Sequence, residues 1–280
     1  MTNPAAGFAV NTYSYIFGGS AADTVARLAD QGYGGVELMF FPGHLWPAEH
    51  DASRLRGLRD LCESRLRLVA VNMPNVDINV AAAADEMRAY SLGLLTQFVR
   101  CAGELGAGGI VVGPGKPNPL FPMPRERMVS HFYRALDVLA PLARQAGTKL
   151  LIENMPFAFL PDAESLMQVV DAYGDDGIRV IYDVANAHFI GEAPVEGMRR
   201  VRDRLSLLHF SDTTRQSYKH DPLGLGDVPL AGLAAAMKEV GYSELPMLEV
   251  ISHHPDADIA DSARRLAALG YGSSSRGHHA

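Results

Sequence analysis

The amino-acid sequence predicts an α/β fold, a single (β/α)₈ TIM barrel, from three observations. The chain has 280 residues, and a barrel of this kind typically needs about 250. Short apolar segments alternate with amphipathic helical segments along the whole chain. No change in composition marks a boundary between domains. We therefore expect one domain over residues 7–271, followed by a Ser-, Gly- and His-rich tail over 272–280 that we expect to be disordered.

The first four strand–helix units follow from hydrophobic periodicity and from residues that suit helix ends. Ser20 is a suitable N-cap for the first helix, because its hydroxyl can accept a hydrogen bond from an orphan amide. Gly32, Gly106 and Gly147 suit helix C-termini, where glycine adopts the left-handed conformation most easily. The predicted strands are 8–13, 35–39, 66–72 and 109–112, and the predicted helices are 21–31, 52–64, 85–105 and 125–146.

The second half of the chain repeats one pattern four times. The predicted strands are 150–153, 179–183, 205–209 and 246–249, and the helices that follow them are 163–173, 194–204, 230–240 and 259–269. Each strand is a run of mostly apolar residues, as expected for a strand that is covered on both faces. Each strand ends in a residue that can bind a metal ion or transfer a proton: Glu153, Asp183, His209 and Glu249.

These four strand-end residues predict a divalent-metal site. A single carboxylate at a strand end more often caps a helix or forms a salt bridge, so the prediction depends on all four. The C-terminal ends of parallel barrel strands form one rim, where residues far apart in sequence converge. Three buried carboxylates without a cation would repel one another. An oxygen-rich site with one nitrogen suits Mn²⁺ first, with Mg²⁺, Co²⁺, Fe²⁺ or Zn²⁺ as alternatives.

Composition excludes several classes of partner. The net charge of −7 argues against nucleic acid, because phosphate backbones are bound by basic surfaces. No run of about 18 apolar residues is present to cross a membrane. Cys62 and Cys101 are the two cysteines, and both fall in predicted helices. A disulfide scaffold is therefore unnecessary, and we expect a cytoplasmic protein.

Several segments resemble the sugar phosphate isomerase/epimerase superfamily of xylose-isomerase-like TIM barrels, and most closely its ketose 3-epimerases. The resemblance covers about residues 7–271. The segments are GGVE at 34–37, DVANAH at 183–188 with GEAP at 191–194, HFSDT at 209–213 with PLGLGD at 222–227, and GY at 241–242 with EV at 249–250.

The resemblance implies roles for individual residues. It assigns the metal to Glu153, Asp183, His209 and Glu249, and it places His188 and Arg215 where related enzymes contact substrate hydroxyls. The chain also departs from the family. Phe159 lies in the loop where ketose 3-epimerases have a further glutamate. Asn72 and Gly113 end strands that carry histidines in the trinuclear-zinc endonucleases of the superfamily, which weighs against DNA repair.

We therefore predict a divalent-metal-dependent isomerase or epimerase that acts on a ketose or a similar carbonyl sugar or polyol. Glu153 and Glu249 would alternate as base and acid on opposite sides of the reacting carbon, through a metal-stabilised enediolate. Glu37 is a candidate to bond a substrate hydroxyl or to support the metal. Trp46 is a candidate to wall the sugar pocket or to pack on a neighbouring loop. Asn72, at a strand end, is a further candidate for substrate binding.

Three alternatives remain open from sequence. A lyase or dehydratase of the dehydroshikimate or inosose type would use the same enolate but expel a β-hydroxyl. A non-catalytic barrel would bind a sugar and serve as a partner subunit. A phosphorylated substrate is less favoured than a neutral one, because the loop after the last strand lacks glycines whose amides could hold phosphate. We also expect a homo-oligomer, either a dimer or a tetramer. The sequence does not specify the substrate.

Overall fold

A closed barrel of eight parallel strands forms the centre of the computed structural model, which describes residues 4–73 and 77–272. The predicted barrel is confirmed. Its strands are β1 (Ala9–Asn11), β2 (Gly35–Met39), β3 (Arg67–Asn72), β4 (Ile110–Val112), β5 (Leu150–Glu153), β6 (Ile178–Asp183), β7 (Leu205–Phe210) and β10 (Met247–Leu248). An antiparallel hairpin, β8 (Asp212–Thr214) and β9 (Ser217–Asp221), follows β7. The predicted disordered tail lies outside the described residues from residue 273 onward.

Helices surround the barrel. They are α1 (Ala21–Asp30), α2 (Ala52–Arg65), α3 (Asp85–Leu105), α4 (Arg125–Ala146), α5 (Ala163–Tyr173), α6 (Val184–Phe189), α7 (Pro194–Val201), α8 (Leu233–Glu239) and α9 (Pro255–Ala268). Short 3₁₀ helices cover Pro4–Gly7, Tyr13–Tyr15, Pro47–Glu49 and Leu230–Gly232. In the part of the chain that the structure describes, no helix combines the length and apolar character that crossing a membrane would require.

The predicted helix ends at Ser20, Gly106 and Gly147 are confirmed. The Ser20 hydroxyl accepts a hydrogen bond from the Asp23 amide, and the Asp23 side chain accepts one from the Ser20 amide. Gly106 has φ of 70° and Gly147 has φ of 74°, the left-handed conformation that ends a helix.

Three elements near the rim differ from the prediction. Helix α6 follows β6 without a loop, because the Asp183 side chain accepts a hydrogen bond from the Asn186 amide and so caps the helix. The β8–β9 hairpin lies in a segment predicted as a loop. Helix α9 also begins earlier than predicted, at Pro255, since proline suits the first helical position.

The inside of the barrel is packed with side chains below the rim. This inner cluster consists of Ala9, Val69, Ala70, Val111, Leu151, Ile181, Leu207 and Met247. A larger cluster fills the space between the strands and the helices. The interior of the barrel is therefore a packed core and not a pore. Polar side chains lie above this inner cluster, at the C-terminal ends of the strands.

Candidate functional site

The structure brings the four predicted strand-end residues together. One ligand atom from each of Glu153, Asp183, His209 and Glu249 lies within 4.8 Å of the others. Strand register explains the meeting, because Asp183 on β6 is paired directly with His209 on β7. The Glu249 amide, just past β10, donates to the Phe210 carbonyl at 3.0 Å. The barrel therefore positions three carboxylates and one imidazole around one point.

The orientation of His209 suits a metal ligand. Its Nδ1 atom lies 2.9 Å from Glu249 Oε2 and 4.0 Å from Glu153 Oε1, so this nitrogen is directed into the cluster. Its Nε2 atom lies on the other side of the ring, 3.4 Å from Glu37 Oε2. Metal-binding histidines usually present one ring nitrogen to the ion and the other to a carboxylate.

The carboxylates also fit a cation. Asp183 Oδ2 is buried and has no hydrogen-bond partner among the described residues, although buried polar atoms are normally satisfied. Three carboxylates in one buried cluster would repel one another unless a positive charge lay between them. The residues present, with oxygen donors and one imidazole, therefore fit a divalent ion such as Mn²⁺, Mg²⁺, Co²⁺, Fe²⁺ or Zn²⁺.

Glu37 lies at the floor of the site and not on its open side. It is completely buried. Its Oε1 atom accepts hydrogen bonds from the side-chain amides of Asn11 at 2.5 Å and Asn72 at 2.9 Å. These bonds fix Glu37 beneath His209. This position supports the second of the two predicted roles for Glu37, which is to support the metal site by orienting His209.

The electrostatics of the cluster reflect its burial. Burial raises the pKa of Asp183 to about 6. Burial and the charge of Glu249 raise the pKa of Glu153 well above its ordinary value. Burial acts on Glu249 in the same direction, but the neighbouring His209 outweighs it and lowers the pKa of Glu249 to about 2. Burial lowers the pKa of His209, but Glu37 and Glu249 reverse this and raise it well above its usual range.

We predict that the stabilising effect of a divalent metal increases with pH. The raised pKa of Asp183 means that the metal-free folded protein holds a proton that the unfolded chain releases. That contribution to stability is present below the unfolded pKa of about 3.9 and is lost as the pH rises through about 6. The raised pKa of Glu153 acts in the same direction. The bound metal would displace these protons, so metal binding becomes easier as they are lost.

Thermal unfolding with a chelator and with added Mn²⁺, at about pH 5 and about pH 8, measures this effect. The Mn²⁺-induced rise in unfolding temperature should be larger at the higher pH. A rise that is equal at both pH values, or larger at the lower one, would contradict the proton linkage.

A cavity of about 430 Å³ opens above the cluster at the C-terminal end of the barrel. Glu153 and Glu249 line it, whereas Asp183 and His209 lie below. The lining residues come from the last positions of β2, β3 and β5, from the loops after β1, β3, β4 and β5, from α6, from the hairpin and from the segment after β10. They are Tyr13, Met39, Asn72, Met73, Ile78, Gly113, Gly115, Lys116, Glu153, Met155, Pro156, Phe157, Ala158, Asn186, Tyr218, His220, Glu249 and Ile251.

His220 and Tyr218 reach the cavity from the β8–β9 hairpin and were not predicted. His220 Nδ1 lies 3.7 Å from Glu249 Oε2 and 3.8 Å from Asp183 Oδ2. Ser211 Oγ lies 2.9 Å from the same nitrogen, and the Tyr218 hydroxyl lies 3.0 Å from Nε2. The hairpin thus adds an imidazole and a phenol to one side of the cavity.

Asn186 on α6 is a further residue that sequence reasoning missed. Its side-chain amide donates to Glu153 Oε1 at 3.2 Å and to the Asn154 carbonyl at 2.9 Å. It also lines the cavity. Asn186 therefore orients the Glu153 carboxylate at the wall of the cavity. The asparagine within the DVANAH segment at 183–188 was the available signal, but the helical form of that segment was not predicted.

Three residues predicted to bind substrate lie elsewhere in the structure. His188 is buried, and its Nε2 atom lies 2.7 Å from Asp227 Oδ1. Arg215 lies exposed in the turn between β8 and β9. Trp46 packs edge-on against Phe98, with ring centroids 5.3 Å apart. None of the three is among the described residues that line the cavity. Their roles in substrate binding stay predictions.

Comparison with known proteins gives a family and a set of structural relatives. The family model described as xylose isomerase-like TIM barrel matches residues 25–269. An uncharacterized protein of Methanocaldococcus jannaschii is 22% identical over 237 residues, which cover 82% of this chain and 79% of that protein. A probable endonuclease 4 of Mycobacterium leprae is 27% identical over 235 residues, covering 79% of this chain and 87% of the relative.

Solved structures share the fold at lower identity. A D-tagatose 3-epimerase-like protein superposes with a TM-score of 0.78 at 18% identity, covering 93% of this chain and 96% of that chain. The IOLI protein, solved with a zinc atom, superposes with a TM-score of 0.72 at 16% identity, covering 94% and 96%. These likenesses concern the fold.

Proposed function

The chain belongs to the xylose isomerase-like TIM barrel family, and we propose that it is a divalent-metal-dependent isomerase or epimerase of a ketose or a similar carbonyl sugar. One observation carries the proposal. The ligand atoms of Glu153, Asp183, His209 and Glu249 lie within 4.8 Å of one another, directly below the cavity. Two of these carboxylates, Glu153 and Glu249, also line that cavity.

The metal would be held by the same four residues. When bound, a divalent cation withdraws charge from a substrate carbonyl and so makes the neighbouring C–H bond more acidic. Manganese is our first expectation, and the zinc atom in the IOLI structure keeps zinc among the alternatives.

Glu153 and Glu249 are the two carboxyls of the cluster that line the cavity. Glu153 ends β5 and Glu249 follows β10, and these strands are three positions apart in the barrel. Two carboxyls on opposite sides of a reacting carbon can alternate as base and acid, since one can remove the proton next to the carbonyl and the other can return it. We therefore assign the two proton-transfer roles to Glu153 and Glu249.

Other residues of the cavity would bind and enclose the substrate. Asn72 donates one side-chain N–H to Glu37, and its second N–H can donate to a substrate hydroxyl. The Asn186 Oδ1 atom, which has no hydrogen-bond partner among the described residues, can accept from a substrate hydroxyl. The rings of Phe157, Phe189 and Tyr218 pack on one another with centroids 5.2 to 5.9 Å apart, and Phe157 and Tyr218 line the cavity. An aromatic wall of this kind would cover the apolar face of a sugar and exclude water from the reacting carbon.

A second candidate function is cleavage of DNA, favoured by the relative described as probable endonuclease 4. Two features of this chain weigh against it. β3 ends in Asn72, and Gly113 follows β4, so neither strand end offers a histidine. The net charge is −7, whereas DNA-binding surfaces are basic. A lyase that uses the same proton abstraction and then expels a β-hydroxyl stays an alternative within the family.

Deuterium exchange tests the proposal. The protein loaded with Mn²⁺ is incubated in D₂O with a panel of ketoses and inososes, and the products are analysed by NMR and mass spectrometry. We expect deuterium next to the carbonyl, together with an epimer or isomer. A dehydrated, UV-absorbing product would show that the protein is a lyase and not an isomerase. Failure to exchange any substrate, combined with cleavage of DNA, would favour the endonuclease.

A further inference from the structure

The floor of the cavity is polar. Glu153 and Glu249 belong to the candidate metal cluster, and the Asn186 side-chain amide donates to Glu153 Oε1 at 3.2 Å. Asn72 donates to the buried carboxylate of Glu37 at 2.9 Å. Groups that can hold a carbonyl and its neighbouring hydroxyls are therefore concentrated at the closed end of the cavity.

A line of side chains leads from this floor to the mouth. His220 Nδ1 lies 3.7 Å from Glu249 Oε2. The Tyr218 ring centroid lies 5.4 Å from that of His220, and the Phe157 ring packs edge-on against Tyr218 at 5.3 Å. Exposure increases outward, from the half-buried His220 to Tyr218 at 36% and Phe157 at 60%. The Ile251 amide donates to the His220 carbonyl at 2.7 Å, and Phe157, Tyr218 and Ile251 together form the apolar mouth of the cavity.

Apolar side chains also form the facing wall. Met39 ends β2, and Met73 and Ile78 follow β3; all three are buried and line the cavity. β3 and β7 are four positions apart in the closed ring of eight strands, so Met73 and the hairpin after β7 lie on opposite sides of the cavity. Lys116 lines the cavity as well, from the loop after β4. A ligand group that extends from the floor toward solvent thus passes between two largely apolar surfaces.

A free sugar does not match this distribution. Its hydroxyls surround the whole molecule, so those far from the floor would lie against apolar side chains without hydrogen-bond partners. The cavity volume of about 430 Å³ falls in the range of roughly 300–1,000 Å³ that is usual for sites of drug-sized ligands. A hexose is considerably smaller than such a ligand. The cavity therefore has both the room and the surface for a second, apolar group.

We propose that the substrate is a sugar conjugate, in which a polyhydroxy carbonyl unit carries an aryl group. The carbonyl unit binds at the floor, and the aryl group packs in the apolar mouth. The inference rests on the proposed function and specifies its substrate class. An aryl group fits better than an alkyl chain, because the rings of Phe157 and Tyr218 gain from edge-to-face or offset contact with another ring. A second copy of the chain would cover the exposed mouth but would not reach the buried facing wall.

Binding of two unreactive probes tests the site without turnover. Phenyl β-D-glucopyranoside and methyl β-D-glucopyranoside share one sugar and differ in the group attached to it. Titration calorimetry on the Mn²⁺-loaded protein should give about tenfold or greater preference for the phenyl glycoside, the size expected when an aromatic ring is removed from water. Phe157→Ala should remove most of this preference, and Ile251→Ala should remove part of it.

Phe121, which is 88% exposed in the loop after β4 and does not line the cavity, supplies the matched control. Phe121→Ala should keep the full preference. Equal binding of both glycosides by the unchanged protein would overturn the proposal, as would a preference that survives in both Phe157→Ala and Ile251→Ala. A Phe157→Ala protein that changes its oligomeric state but keeps the preference would assign the mouth to a second copy of the chain, and it would also overturn the proposal.

A third probe, benzyl alcohol, carries the aromatic ring without the sugar. It should bind more weakly than the phenyl glycoside, because it makes no contact with the polar floor. Equal binding of the two would make the mouth a general apolar site and overturn the assignment of a conjugate. The binding result is independent of catalysis. A Phe157-dependent preference without any deuterium exchange would refute the proposed reaction alone, whereas exchange on free ketoses with equal binding of both glycosides would refute this inference alone.

Discussion

Replacement of Glu249 by glutamine is expected to slow deuterium incorporation into substrate by about 10²- to 10⁴-fold, the usual contribution of a positioned acid or base. Glutamine keeps the size of the side chain and one oxygen but cannot accept the substrate proton. The other three ligands, Glu153, Asp183 and His209, are untouched, so most metal binding should survive. Mass spectrometry of the substrate after incubation in D₂O, alongside metal analysis of the same sample, measures both properties.

Glu153→Gln should give the same loss, because each carboxyl serves one side of the exchange. Glu244→Gln is the matched control, since Glu244 pairs with Arg67 outside the cavity. It should exchange deuterium at the unchanged rate. Full exchange in both Glu153→Gln and Glu249→Gln would refute the assignment of these carboxyls.

Replacement of His209 by alanine is expected to remove metal binding. The imidazole is the only nitrogen donor of the candidate cluster, and its loss would leave three buried carboxylates with no cationic neighbour from β7. We expect the metal affinity to fall by more than the roughly 10- to 100-fold that outer-shell changes cause. Glu37→Gln alters only the carboxylate that lies against His209 Nε2, so its loss of metal affinity should fall within that roughly 10- to 100-fold range. Competition with a coloured chelator measures the three affinities.

His253→Ala provides the control for that series, because His253 is exposed in the segment after β10. It should bind metal as tightly as the unchanged protein. If His209→Ala binds as tightly as His253→Ala, the four residues are not the metal ligands. A larger effect of Glu37→Gln than of His209→Ala would instead make Glu37 a direct ligand.

Sequence alone predicted the barrel and the convergence at its rim because both follow from local pattern. The runs that end in Glu153, Asp183 and His209 are mostly apolar, and parallel strands in a closed barrel must end at the same rim. The caps at Ser20 and Gly106 depend on one or two residues and were also recognisable. Glu249 followed the same rule even though β10 is only two residues long.

Residues that arrive from loops were harder to predict. His220 reaches the cavity because β8 and β9 fold back over the rim, a path that neither periodicity nor spacing specified. The structure also places Trp46 against Phe98 and His188 against Asp227. Each of these contacts joins residues that are far apart in sequence, and a single sequence contains no signal for such pairs. Asn186 was missed because the short helix α6, which places its side chain against Glu153, was not predicted.

Elemental analysis tests the central claim most directly. Protein purified without chelator and dialysed after incubation with Mn²⁺ should contain about one equivalent of divalent metal per chain, since the four donors surround a single point. The double variant Asp183→Asn/His209→Ala, treated in parallel, should contain almost none. A metal-free unchanged protein, or equal metal content in the two proteins, would contradict the assignment of this cluster as a metal centre.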